Sequence, residues 1–288
     1  MRMTLALAAA AAACACLGAA VPAHAGDAAA PKVVGLVGDD TLVTFRADAP
    51  QRVTRLGRIS GLSGDVKVVG IDFRVQDGKL YAVGDKGGVY TVAGTRATKV
   101  SQLTVALNGR DFGVDFNPAA NRLRVVSDTG QNLRHNIDDP MGAPARGATA
   151  TDGTLTNPPV PPATTGATAT GVSGAGYTNN DLSPATATTL FDVDTTADQV
   201  SVQSPANAGN LAPTGKLGVD AAEGAGFDVF STLREGVTVS NAAYATLKAP
   251  DGYRFHSVDL LTGTASQIGA FPRNRQVTDI AVQLDGQG

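Results

Sequence analysis

The chain has 288 residues, with 23 Lys and Arg against 26 Asp and Glu, and a formal net charge of −3. That balance leaves no basic footprint for nucleic acid or for an anionic membrane surface, and both are excluded as partners. Both cysteines, Cys14 and Cys16, lie near the N-terminus.

In chain order, the first element is a leader. Arg2 supplies a short positive region, Leu5 to Ala20 an Ala-rich apolar stretch, and Ala23 and Ala25 an A-x-A cleavage site. This pattern predicts a secretory signal peptide over 1–25 and a mature chain from Gly26. The mature chain is then cysteine-free, which excludes disulfide staples, thiol catalysis and Cys-ligated metals. Its localisation is expected to be extracellular, periplasmic or cell-wall associated, with no membrane anchor after cleavage. It is expected to be a monomer.

The segment "VVGLVGDDTLVTFRADAPQRVTRLGRIS" (33–60) reads as the later strands of a β unit without a first strand. "GIDFRVQDGKLYAVGDKGGVY" (70–90) and "GVDFNPAANRLRVVSDTGQNL" (113–133) then align without a gap, Gly on Gly and Asp on Asp. Further units begin at "GVSGAGYTNNDL" (171–182) and "GFDVF" (226–230), and "QVTDIAVQL" (276–284) is a lone first strand. Short apolar runs punctuated by Gly, Asp and Pro predict an all-β fold, and the repeat predicts a β-propeller of about five four-stranded blades. The C-terminal strand would complete the N-terminal blade and close the ring, removing open edges. The region 26–288 is therefore read as one propeller domain. Within it, residues 139–170 carry six prolines and few large apolar side chains. They read as a low-complexity loop between blades, with one short strand at "GTLTN".

"NPAANRLRVVSDTGQNLR", "YTNND", "TTLFDVD" and "GAGFDV" together resemble a family of exported bacterial proteins known only as a domain of unknown function. The resemblance implies a secreted, repeat-built β domain and brings no activity or site residue.

Asp72, Asp115, Asp228 and Asp279 fall at one register of four first strands, with Ser173 or a nearby small residue in the fifth. Convergent side chains of this kind could hold a hard cation such as calcium. Their plainer use is to accept backbone N–H groups and tie each blade to the next, and no cofactor is assigned. Equal registers imply equal environments, which argues against an acid–base pair of the glycosidase kind. His135 and His256 fall in different units and are expected to be exposed; "DVDTTAD" is expected to be a hairpin turn rather than a calcium loop. Two groups are candidate ligand-binding surfaces: Arg122, Arg124, Gln131 and Asn132, joined by Arg134, and the sugar-compatible set Tyr177, Asn179 and Asn180. The expected function is an exported, non-catalytic propeller that binds an extracellular glycan or protein. A hydrolase or lactonase using a cation on the inner-strand aspartates, and a structural cell-envelope protein, are the alternatives.

Overall fold

The structure is a computed structural model that describes residues 30–287. The leader expected over 1–25 lies outside the described residues. Short β-prone runs between turn residues give twenty strands. The first blade has β1 (Lys32–Val37), β2 (Thr41–Arg46) and β3 (Thr54–Arg58). The second has β4 (Val68–Arg74), β5 (Lys79–Gly84), β6 (Gly88–Ala93) and β7 (Arg96–Gln102). The third has β8 (Phe112–Asn117), β9 (Arg122–Ser127), β10 (Asn132–His135) and β11 (Thr149–Thr151). The fourth has β12 (Val172–Tyr177), β13 (Leu190–Asp194), β14 (Gln199–Gln203) and β15 (Leu211–Lys216). The fifth has β16 (Ala222–Arg234), β17 (Val237–Ala249), β18 (Gly252–Val258) and β19 (Ala265–Ala270). Finally β20 (Val277–Val282) returns to the first blade and pairs antiparallel with β1, Val33 opposite Val282 and Leu36 opposite Asp279. The result is five four-stranded antiparallel sheets, a five-bladed β-propeller closed by its C-terminal strand.

The inner strands touch one another in the ring order β20, β4, β8, β12, β16. Glycine makes that approach possible. A Cβ on Gly113 would lie 2.6 Å from the Ala175 nitrogen, and one on Gly226 would lie 2.5 Å from Asp279 Cα. Gly113→Ala is therefore expected to cost about 1–3 kcal/mol through overpacking, read as a lowered urea midpoint. A variant as stable as the wild type would show that these backbones are not in hard contact.

Behind the inner strands of blades two, three and four the second strands are buried on both faces, because each blade is covered by a neighbour on either side. The apolar core is accordingly divided into five clusters, one at each junction between blades. Between blades five and one it is aromatic: Phe45 meets Phe255 edge-on at 5.1 Å, and Phe255 stacks on Tyr244 at 5.3 Å. Such pairs add to the area they bury.

The junction between blades three and four differs. The region 139–170 supplies the outer strand β11 and then packs Leu155 and Ala169, both fully buried, against Val126, Val172 and Leu190. "GTLTN" forms isolated bridges at Thr156, to Thr168 and Asn210, rather than a strand. Beside this apolar cluster sits Arg124, 2% exposed. Its guanidinium donates to Asn132 Oδ1 (2.6 Å), Asp152 Oδ2 (2.7 Å), Asn207 Oδ1 (2.8 Å) and Tyr177 Oη (3.3 Å).

Candidate functional site

The axis comes first, because the sequence places four aspartates there. Asp72 Oδ2 accepts the N–H of Phe116 at 2.9 Å, Asp115 Oδ2 that of Tyr177 at 3.2 Å, and Asp228 Oδ2 that of Val282 at 2.5 Å. Each bond runs from a side chain of one inner strand to the backbone of the next. Asp279 does the same for Ile71 at 2.8 Å, and Ser173 Oγ for Ala225 at 3.1 Å. All five junctions thus carry one such tie.

The ties lie in more than one layer, which corrects the single register read from the sequence. Phe116, Tyr177 and Val282 occupy equivalent positions, so Gly176 and Ala281 stand level with Asp72, Asp115 and Asp228. Asp279 lies two residues earlier, level with Gly70, Gly113, Gly174 and Gly226, and a Cβ on Gly70 would be 3.6 Å from its Oδ2. A two-residue slip keeps a side chain on the same face of a strand, so Asp279 can still tie its junction from the neighbouring layer. Asp72, Asp115 and Asp228 each bring one oxygen within 4.8 Å of the other two. Burial, reinforced by the neighbouring negative charges, raises Asp72 and Asp115 well above the carboxylate range. Burial pushes Asp228 and Asp279 up to about 7.

The two surfaces singled out from the sequence have internal tasks. Arg122 donates to the Ala120, Asn121 and Ala143 carbonyls and to Asp139. Gln131 clamps the preceding loop through Asn108 N–H and the Ala106 carbonyl. Asn132 donates to the Gly153 and Ala206 carbonyls while accepting from Arg124. Arg134 pairs with Asp152 at 3.0 Å. Tyr177 is buried under Arg124. Asn179, Asn180 and Asp181 hold the long β16–β17 hairpin: Asn179 bonds Asn241, Asn180 bonds Ser231 and the Val229 carbonyl, and Asp181 accepts the Thr238 N–H.

His135 and His256 are buried, not exposed. His135 bridges Ser101 Oγ (2.8 Å) and Thr149 Oγ1 (3.0 Å), and burial lowers it to about 4. His256 faces the Arg254 carbonyl at 3.1 Å and is also lowered by burial. "DVDTTAD" is a hairpin turn, Asp194 Oδ1 accepting the N–H groups of Thr196 and Ala197.

What the sequence did not single out is the mouth of the ring where the inner strands begin. A cavity of about 200 Å³ there is lined from all five blades, among them Asp39, Lys67, Arg110, Ser173 and Asp279. It adjoins a second of about 530 Å³, and the two share Lys67, Val69, Arg110, Asp111, Phe112 and Tyr253. Lys86 and Lys248 complete the cationic wall of the larger one. These residues sit in turns and at strand ends of different blades and share no local motif. The available signal is strand parity, since turns before an inner strand and turns after a second strand emerge at the same end of the ring.

A Bacteroides thetaiotaomicron VPI-5482 protein of unknown function superimposes with a TM-score of 0.47 at 15% identity, over 91% of this chain and 66% of that one. A Lactobacillus plantarum protein gives 0.38 at 17%, over 83% and 66%. A Bacteroides fragilis NCTC 9343 protein whose description names a 6-phosphogluconolactonase gives 0.40 at 10%, over 85% and 82%. This chain thus spans just under two thirds of the first two structures, and at these similarities none of the three assigns an activity. No curated protein is similar to the chain. Residues 41–281 match the model of the family described as domain of unknown function DUF4394, and the chain belongs to that family.

Proposed function

We propose that the protein is a non-catalytic binding propeller that works after export and takes an extracellular glycan or protein at the mouth where its inner strands begin. The carrying observation is the joined pair of cavities at that mouth, to which all five blades contribute. Concave sites of a few hundred Å³ with convergent polar groups are the usual form of a binding site. Elsewhere the distinctive polar side chains are engaged in holding blades together.

The test is a glycan array and a pull-down with the chain from Gly26, each repeated with Tyr253→Ala. Retained ligand that is lost in the variant supports the reading. Blank results from folded protein overturn it and favour the structural envelope role. For export, N-terminal sequencing of the protein recovered outside the cytoplasm is expected to begin at Gly26. An intact Met1 would overturn that part.

A second reading, a hydrolase or lactonase using a cation, has one specific observation behind it: the three axial carboxylates within 4.8 Å. Their all-oxygen donor set suits a hard cation such as calcium, and a carboxylate oxygen that accepts one N–H keeps a further lone pair. Metal analysis with melting curves in calcium and in chelator decides it. No bound metal and no shift would sink this reading.

A further inference from the structure

The chemistry at the mouth narrows the ligand, an inference that rests on the binding role proposed above. The chain as a whole is acidic, with a net charge of −3. Yet among the described residues four cations, Lys67, Lys86, Arg110 and Lys248, line the cavity of about 530 Å³ against two acids, Asp85 and Asp111. They arrive from separate parts of the ring: Lys67 and Lys86 belong to the second blade, Arg110 to the approach to β8, and Lys248 to the end of β17.

Their availability differs. Lys86 Nζ lies 3.3 Å from Asp85 Oδ2, and Asp85 Oδ1 accepts the N–H groups of Val66 and Lys67, so that acid is committed. Arg110 N–H donates to Asp128 Oδ1, which fixes the backbone that carries its guanidinium. Lys67 and Lys248 are exposed, and among the described residues neither ammonium group has an ion-pair or hydrogen-bond partner. Two rings stand beside them, Phe112 and Tyr253, both only partly buried. The Tyr253 backbone is fixed from below by Gln276 Oε1, which accepts its N–H at 2.5 Å.

Like charges held around one concavity raise its potential and attract an anion. An aromatic face beside them offers a flat apolar wall to a pyranose ring while leaving its hydroxyls to the polar rim. We infer that the mouth of the propeller binds a carboxylate-bearing saccharide. Lys67 and Lys248 face the carboxylates and Tyr253 lies along the sugar ring.

The experiment is titration calorimetry of the chain from Gly26 with galacturonate oligomers, with neutral glucose oligomers of equal length and with inorganic phosphate, at low and at 0.5 M salt. The inference expects the uronate to bind, salt to weaken it, and Lys67→Glu and Lys248→Glu each to weaken it by about tenfold or more. Arg52→Glu, an exposed charge reversal outside both cavities, is expected to leave it unchanged; melting curves confirm that all variants fold. Neutral oligomers bound as well as uronate, and still lost in Tyr253→Ala, would overturn the anionic assignment and leave the mouth as the binding site. Phosphate competing at the uronate's own affinity would overturn the saccharide. Uronate binding untouched by the lysine and tyrosine variants would overturn both the assignment and the mouth.

Discussion

Replacing Arg124 by methionine is expected to lower the unfolding free energy by about 3–5 kcal/mol, the cost of breaking a buried ion pair and leaving its partners unpaired. Arg124 and Asp152 are 2% and 7% exposed at the side chain, and their contact is 2.7 Å. The same guanidinium also serves Asn132 and Asn207, which come from different sides of the junction between blades three and four. Urea unfolding at constant m reads the effect as a shift in midpoint. Arg124→Lys should rescue little of it, because one ammonium cannot reach four acceptors arranged for a planar fork. The neighbouring Asp192 sharpens the expectation. Neither of its carboxylate oxygens accepts a hydrogen bond from the described protein, and burial pushes it up to about 8 although Arg124 pulls it down. Removing Arg124 also removes the charge that favours the ionised form of Asp192, which leaves a neutral acid with both oxygens unpaired. A methionine variant within about 1 kcal/mol of the wild type would show that the network contributes specificity rather than stability.

The second large effect is on pH. Asp228 and Asp279 are raised from the ordinary 3.8 to about 7, and Asp72 and Asp115 are raised as well. A folded state that holds protons more tightly than the unfolded chain gains stability that is complete below about pH 4 and is lost as pH rises through about 7. The melting temperature is therefore expected to fall between pH 5 and pH 8, by an amount worth on the order of a few kcal/mol. Asp228→Asn should flatten that slope and melt above the wild type at pH 8. Its amide oxygen can still accept the Val282 N–H, while the charge beside Asp72 and Asp115 is gone. A melting temperature that rises from pH 5 to pH 8 would mean that the axial carboxylates are ionised and compensated, the result a bound cation would give.

Blade number and ring closure were legible because both are written in short-range chemistry. Glycine within four of the five inner strands, turn residues at matching places and an incomplete unit at either end all follow from blades meeting at close quarters. The register of Asp279 was not legible. Aligning "VTDIAV" on its aspartate alone cannot detect a two-residue slip, which preserves the alternation of faces. His135 lies two residues beyond Leu133 and shares its inward face, so period-two reading alone would have buried it. Arg122, Arg124, Gln131 and Asn132 were visible as departures from the repeat, but their partners lie elsewhere in the chain: Asp139 and Asp152 within the proline-rich region, Asn207 beyond it, and Asn108 and Ala106 in the loop before β8. Only the folded chain shows that Arg124 and Asn132 serve the junction with blade four while Arg122 and Gln131 hold loops of their own side. Lys67, Arg110, Lys248 and Tyr253 had no shared pattern at all, since ring closure alone brings them together.

Thr278 Oγ1 donates to the Leu36 carbonyl at 3.1 Å across 242 residues of sequence. The first blade is thus begun by β1 and completed only by β20, after the four other blades have been made. Until β20 emerges, β1 has no inner neighbour, and the cost of bringing such distant segments together must be met before any closure contact rewards it. The nascent chain consequently has a long interval in which it is synthesised but not sealed.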